Sequence, residues 1–246
     1  GSGARVDTHA CAHALMSTWY RHGHAPVHAR RQLVVCTRAV CRWKNEAGGR
    51  SSRMGREKAL LEIGRETLIE RLARRLGASF DRVLVSTGSA PPSAGLAEAL
   101  GRLRDGGLAV ETVADRRADF SGPLAGVEAA LGAIESRRAF FVAVDLVDPD
   151  EGLVAKLIEA SASAGCLGAV PRCRGITQGA FAVYSSDLLP RVSSLLDGGE
   201  ARLKSLAGIE GVSVVEVEEA AGDVFSGLNT PAEYEAIRSR VEDGAG

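Results

Sequence analysis

Residues 47–61 read Ala47-Gly48-Gly49-Arg50-Ser51-Ser52-Arg53-Met54-Gly55-Arg56-Glu57-Lys58-Ala59-Leu60-Leu61. Two adjacent glycines followed by Arg53, Gly55 and Lys58 describe a loop with little side-chain bulk and fixed positive charge. Glycine lets backbone N–H groups come close to an anion, and a helix is expected to start just beyond, so phosphate is the ligand that suits such a loop. The spacing is neither a Walker A loop, which needs Gly-Lys-Ser/Thr, nor the dinucleotide Gly-x-Gly-x-x-Gly. On spacing alone, an anion loop and a plain glycine turn entering a solvated basic helix stand equally open.

Outward from this loop the pattern becomes an alternation of helices and strands. Leu68, Ile69, Leu72 and Leu76 recur at helical spacing, with arginines on the opposite face, which predicts a helix over 67–76. Further helices are expected at about 97–103, 123–136, 152–164, 187–196 and 231–241, with Pro123 at a first helical position. Strands are expected at 82–86, 110–113, 139–144, 167–170, 180–184 and 212–217. Such alternation predicts a three-layer α/β domain with a mostly parallel sheet. Ligands of such sheets sit at the carboxyl ends of the strands, which is where the loop and the segments described next fall.

Four segments, taken in order, carry a family resemblance. Ala-Gly-Gly-x-Ser-x-Arg-Met-Gly-x-Glu-Lys is followed by Asp115-Arg-Arg-Ala-Asp119-Phe-Ser-Gly122-Pro123-Leu124-Ala125-Gly126, then Phe141-Val-Ala-Val-Asp145, then Leu228-Asn229-Thr230-Pro231. Together they resemble the molybdenum cofactor guanylyltransferases, nucleotidyltransferases of a Rossmann-like, glycosyltransferase-A-type fold. The resemblance spans 47 to about 237, with the glycine loop and Gly-Pro-Leu-Ala-Gly its most specific parts.

The resemblance implies transfer of GMP from GTP to the phosphate of molybdopterin, with Mg²⁺ as cofactor and pyrophosphate released. It implies nucleotide contacts from Ala47, Gly48, Gly49, Lys58, Ser86, Asp115 and Asp145, catalytic roles for Lys58, Arg53 and Asp145, metal binding by Asp145, and an acceptor-side role for Asn229. Asp119 and Gly122 would shape the same pocket. Transient contact with other cofactor-biosynthesis proteins or apo-molybdoenzymes is a further implication. Read from the residues alone, Asp115 is equally a solvated loop charge, while the lesser alternative for Asp145 is a helix or turn cap for the Asp148-Pro-Asp150 segment, and that for Asn229 a cap for the helix at Pro231. The chain departs from the family at several positions: Ser86 stands where a base-reading asparagine is usual, Leu146-Val147 follow Asp145 in place of a proline two residues on, Gly227 replaces an asparagine, Glu46 replaces a leucine at the loop entrance, and Glu57 conservatively replaces the commoner aspartate before Lys58. A serine hydroxyl does not reproduce amide geometry, so the base remains open. Alternatives are a cytidylyltransferase or cobinamide-phosphate guanylyltransferase of the same fold, or a catalytically silent nucleotide-binding paralogue.

The totals fit one such domain: 246 residues carry a net charge of −1, so no global basic surface argues for nucleic acid or membrane as partner. Lys58 is one of only four lysines, with Lys44, Lys156 and Lys204. Five cysteines without a Cys-x-x-Cys pair, and no apolar run of membrane length, lead to the expectation of a reducing, cytoplasmic setting. Composition breaks near residue 45. All five histidines and both tryptophans precede it, and no acid occurs between Asp7 and Glu46. Residues 1–45 are therefore expected to be a His- and Arg-rich extension, disordered or non-native, ahead of a domain at 46–246; His22-x-His24-x3-His28 is a weak metal-binding spacing within it. Arg42-Trp-Lys-Asn-Glu46 is too charged for a central strand, and Leu33-Val-Val-Cys36 lies far upstream of the loop. The first strand is expected either at 37–41 or to be defective.

Overall fold

The computed structural model describes residues 32–36, 57–77, 79–117, 122–218, 225, 227–228 and 230–243. Its central sheet has the order β5 (Val110–Val113), β4 (Arg82–Ser86), β1 (Gln32–Cys36), β6 (Arg138–Ala143), β9 (Phe181–Ser185), β7 (Gly168–Cys173) and β10 (Val212–Val217), with the short β8 (Ile176–Thr177) paired to β7. The β1–β4, β1–β6, β4–β5 and β7–β10 pairs are parallel, and β9 runs antiparallel to both its neighbours.

The first strand corrects the sequence reading. Gln32–Cys36 is the central strand, so the sheet begins ahead of the composition break near residue 45. Leu33, Val34 and Val35 are fully buried, which is what a strand covered on both faces requires. That requirement concerns apolar content and not distance from the glycine loop. Residues 37–41, and the rest of 1–31 and 37–56, lie outside the described residues.

Side chains of each strand alternate between two helical layers. Leu33, Val35, Val83 and Val85 face α1 (Leu68–Gly77), α2 (Ala94–Asp105) and α4 (Glu151–Ala160). Val34, Leu84 and Phe141 face α3 (Pro123–Leu131) and α5 (Leu189–Asp197). The last helix, α6 (Pro231–Asp243), adds Tyr234, Ile237 and Val241 to the first layer, and the Tyr234 hydroxyl donates to the carbonyl of Glu62 at 2.5 Å. The three-layer, mostly parallel α/β expectation is met. No helix among the described residues is long and apolar enough to cross a membrane.

One local expectation fails. The glycine loop is not followed directly by a helix. A three-residue 3-10 turn, Lys58–Leu60, comes first, then the hairpin of β2 (Glu62–Ile63) and β3 (Glu66–Thr67), and only then α1. Thr67 and Glu70 form a reciprocal cap at the start of α1: the Thr67 N–H donates to Glu70 Oε2 at 2.9 Å, and the Glu70 N–H to Thr67 Oγ1 at 3.4 Å.

Topology positions the site. From β1 the chain winds outward through β4 to β5, then crosses by α3 to β6 on the other side of β1. The direction of winding reverses between β1 and β6, and in open α/β sheets the crevice at such a reversal, beyond the carboxyl ends of the strands, is where ligands bind.

Candidate active site

The parallel strands end in register: Cys36 of β1 lies opposite Ser86 of β4 and Ala143 of β6. Asp145 follows two residues after that line, in a turn fixed by its main chain. Val144 N–H donates to the Cys36 carbonyl at 3.1 Å and Leu146 N–H to the Ala143 carbonyl at 3.2 Å. Leu146 and Val147, the residues that depart from the family pattern, are buried in the core and anchor the turn by packing. Asp148 is held by Arg71 at 3.2 Å, Arg75 at 2.8 Å and Arg240 at 3.5 Å, and Asp150 caps α4 by accepting from Leu153 N–H at 2.6 Å. Capping therefore falls to Asp150 and leaves Asp145 to another role.

Asp145 is met by Lys58. Its Nζ lies 3.4 Å from Asp145 Oδ2, and the two side chains are only 11% and 8% exposed. The turn bearing Lys58 is seated by the buried Ala59 and by Glu57, whose carboxylate accepts from Ser93 Oγ at 2.7 Å. Ser93 in turn caps α2, accepting from Leu96 N–H at 3.2 Å. The seat is thus built from a helix start 36 residues away, and neither Glu57 nor Ser93 carried a sequence signal for it.

A second group gathers beside the first. Asp115, two residues beyond β5, is placed by its N–H bond to the Gly88 carbonyl at 2.9 Å. Gly126, in the first turns of α3, explains why a glycine ends Gly-Pro-Leu-Ala-Gly. A Cβ there would sit 2.7 Å from Ser86 Oγ, too close to stay without a shift, and 3.7 Å from Asp115 Oδ1, so the glycine lets the helix close on Ser86 beside Asp115. At Gly122 a Cβ would come within 2.6 Å of the Ala201 Cβ, and the next turn is tied to the same residue, Leu124 N–H donating to its carbonyl at 3.3 Å. Cys36 joins this group. Burial, together with the negative charge of Asp115, pushes its thiol up to about 12, so it remains protonated at neutral pH. Cys36 escaped the sequence reading because the strand that carries it did.

The carboxyl-terminal segment docks on the same turn. Leu228 is fully buried, and its N–H donates to the Asp145 carbonyl at 3.2 Å. The cap of α6 is made by Thr230 and Glu233, with Thr230 N–H to Glu233 Oε2 at 2.7 Å, and Glu233 N–H to Thr230 Oγ1 at 3.2 Å. Asn229 itself lies outside the described residues, as do Ala47, Gly48, Gly49, Arg53 and Asp119. Of the residues expected at the site, the structure brings Lys58 to Asp145 and Ser86 to the neighbourhood of Asp115. Among the described residues no cluster of three or more His, Cys, Asp or Glu side chains is assembled.

A comparison of the chain with protein families decides its membership: residues 47–216 match the MobA-like NTP transferase domain. The chain belongs to this family. It is therefore a nucleotidyltransferase, as its motifs led one to expect. A probable molybdenum cofactor guanylyltransferase of Pelotomaculum thermopropionicum is 32% identical over 204 residues, covering 80% of this chain and 91% of the relative. One from Deinococcus radiodurans is 33% identical, covering 80% and 93%. Among solved structures, molybdopterin-guanine dinucleotide biosynthesis protein A from Archaeoglobus fulgidus superposes with a TM-score of 0.60 at 17% identity, covering 86% of this chain and 99% of that one. The 2-C-methyl-D-erythritol 4-phosphate cytidylyltransferase of Thermus thermophilus gives 0.57 at 19% identity, covering 86% and 99%. At those identities the structures bear on the fold alone. The MobA-like match starts at Ala47, so β1 is the strand that lies wholly outside it.

Proposed function

We propose that this MobA-like enzyme transfers GMP from GTP to the terminal phosphate of molybdopterin, releasing pyrophosphate in a Mg²⁺-dependent reaction. The acceptor is suggested by relatives that carry the name molybdenum cofactor guanylyltransferase. The observation that carries the chemistry is the facing pair of Lys58 and Asp145 at the crevice between β1 and β6.

An acceptor phosphate oxygen attacks the α-phosphorus of the nucleotide, a new P–O bond forms, and the bond to the bridging oxygen of the leaving pyrophosphate breaks. The attacking oxygen is already ionised at neutral pH, so no general base is called for. Rate then depends on alignment and on neutralising charge at the phosphoryl oxygens. Lys58 and Arg53 would supply fixed positive charge to the triphosphate, and the amides of Ala47, Gly48 and Gly49 would line it. Ser86 and Asp115 would face the nucleoside, and Asn229 the acceptor.

The donor set fits a hard cation. A carboxylate two residues beyond the end of β6 suits Mg²⁺, which takes one or two carboxylates and fills the rest of its shell with phosphate oxygens and water. Asp145 would hold it, and bound there the ion would offset phosphate charge.

Ser86 favours one second reading, cytidylyl transfer to the same acceptor, because a hydroxyl in place of an amide relaxes the demand for guanine. Calorimetric titration with GTP, CTP and ATP in Mg²⁺ separates the two. A preference for GTP of about tenfold, equivalent to about 1.4 kcal/mol, supports guanylyl transfer, and the same preference for CTP replaces it. Lys58→Ala is expected to lower pyrophosphate release at least tenfold, about 1.4 kcal/mol of barrier. Unchanged release would remove Lys58 from the mechanism.

A further inference from the structure

The two side chains that this reading assigns to opposite partners, Lys58 to the triphosphate and Asp145 to the cation, hold each other in the structure. Nζ and Oδ2 are 3.4 Å apart with little water access, and Lys58 is the one side chain bonded to the Asp145 carboxylate among the described residues. A charge so shielded is costly to leave alone. A cation that approached Asp145 by itself would meet the Lys58 ammonium at contact distance. A polyphosphate that approached Lys58 by itself would displace it from Asp145 and face that carboxylate directly. When both arrive, one ion pair is exchanged for two, with lysine on phosphate and carboxylate on the cation.

The two halves of the pair differ in freedom. Asp145 sits on a turn fixed by the main-chain bonds of Val144, Leu146 and Leu228 and by the buried side chains of Leu146 and Val147. Lys58 reaches it on a four-carbon stem from a three-residue turn, and at 3.4 Å the contact is longer than the roughly 2.7–2.9 Å of a strong charge-assisted hydrogen bond. The carboxylate is the fixed part and the ammonium the part that can leave.

We infer that the Lys58–Asp145 pair is a latch that makes cation and triphosphate bind cooperatively, each relieving the cost of opening the pair for the other. The inference rests on the nucleotidyl-transfer reading of this site. By linkage the coupling is reciprocal, so removing either half of the pair is expected to strengthen the ligand that the other half takes. A residue that only helps its ligand bind gives no such gain.

The test uses the full chain and each ligand alone. Mn²⁺ binding without nucleotide is followed by the loss of the free-ion paramagnetic resonance signal. Inorganic tripolyphosphate binding is followed by calorimetry in EDTA. Lys58→Met is expected to bind Mn²⁺ at least fivefold more tightly than the wild type, and to lose tripolyphosphate. Asp145→Asn is expected to bind tripolyphosphate at least fivefold more tightly, and to lose Mn²⁺. Circular dichroism confirms folding, and Lys58→Gln replaces Lys58→Met where the latter does not fold. If the wild type binds Mn²⁺ and GTP together while neither variant gains, the latch is overturned and the proposed function stands. If the wild type binds neither when both are supplied, the proposed function falls and the latch with it.

Discussion

Glu70, Glu128 and Asp145 are each 5% exposed, yet the fold treats them differently. Glu70 accepts from Thr67 N–H at 2.9 Å, Thr67 Oγ1 at 2.6 Å and Arg102 Nε at 2.6 Å. Glu128 accepts from two guanidinium nitrogens of Arg117 at 2.8 Å each and from Ser193 Oγ at 2.7 Å. Burial alone raises a carboxyl group's pKa, and at Glu70 it is outweighed by the bonds from Arg102 and Thr67, which bring the group down to about 2. Hydrogen bonds from Arg117 likewise hold Glu128 below the usual carboxylate range. Asp145, at the same depth, has one long contact with Lys58 among the described residues. Equal burial with unequal satisfaction separates carboxylates that tie elements together from one that keeps bonding capacity for a ligand.

The strongest way to break this distinction is Asp145→Asn, which keeps shape and removes charge. Turnover, read as pyrophosphate release, is expected to fall at least a hundredfold, about 2.7 kcal/mol of barrier. Its melting temperature should shift less than that of a variant at either saturated carboxylate. Retained turnover would place Asp145 with the structural carboxylates.

Glu70→Gln should behave in the opposite way. It weakens the charged bond from Arg102 and the cap of α1, for a loss of about 1.5 kcal/mol, and a fall of about 3–6 °C in melting temperature for a chain of this size. Turnover is expected to stay within about twofold, since less than 0.5 kcal/mol of barrier is at stake. The pH dependence has a definite sign. The folded pKa of Glu70, about 2, lies below the ordinary 4.5, so its contribution is fully present above pH 4.5 and is lost as pH falls toward 2. Urea unfolding of wild type and variant should therefore differ fully at pH 6 and converge progressively below pH 4.5. A gap that grew on acidification would reverse the assignment.

What could be read from the sequence follows the same division between local and distant causes. Strands β4, β5 and β10 begin and end where the sequence places them, because short valine-rich runs are a local signal. The first strand was lost because residues 37–46 separate it from the glycine loop and the composition changes beside it. The hairpin of Glu62–Ile63 and Glu66–Thr67 is two residues a side, too short for any periodicity to register. At the site, Lys58 and Asp145 were singled out separately, one from a glycine loop and one from the end of an apolar strand. Their contact spans 87 residues and depends on the reversal of winding between β1 and β6. The approach of Gly126 to Ser86 likewise depends on the crossover through α3, which no window of sequence contains.

The smallest effect is the sharpest probe of whether a saturated carboxylate is purely structural. Ser193→Ala removes one of three donors to Glu128 and leaves both arginine bonds in place, so it is expected to cost about 1 kcal/mol. The expected fall in melting temperature is about 2–4 °C. Arg117, the other partner of Glu128, lies two residues beyond Asp115, and it also reaches Asp197 at the end of α5 at 2.6 Å. Any loosening of α5 against α3 could therefore reach the nucleoside side of the crevice through Arg117. Because those two arginine bonds persist in the variant, Asp115 should keep its place, and turnover should match the wild type at saturating nucleotide while only unfolding moves. A rise in KM without a change in melting temperature would mean that the Glu128 cluster sets the position of Asp115, and the line between the two kinds of buried carboxylate would then run inside the cluster and not around it.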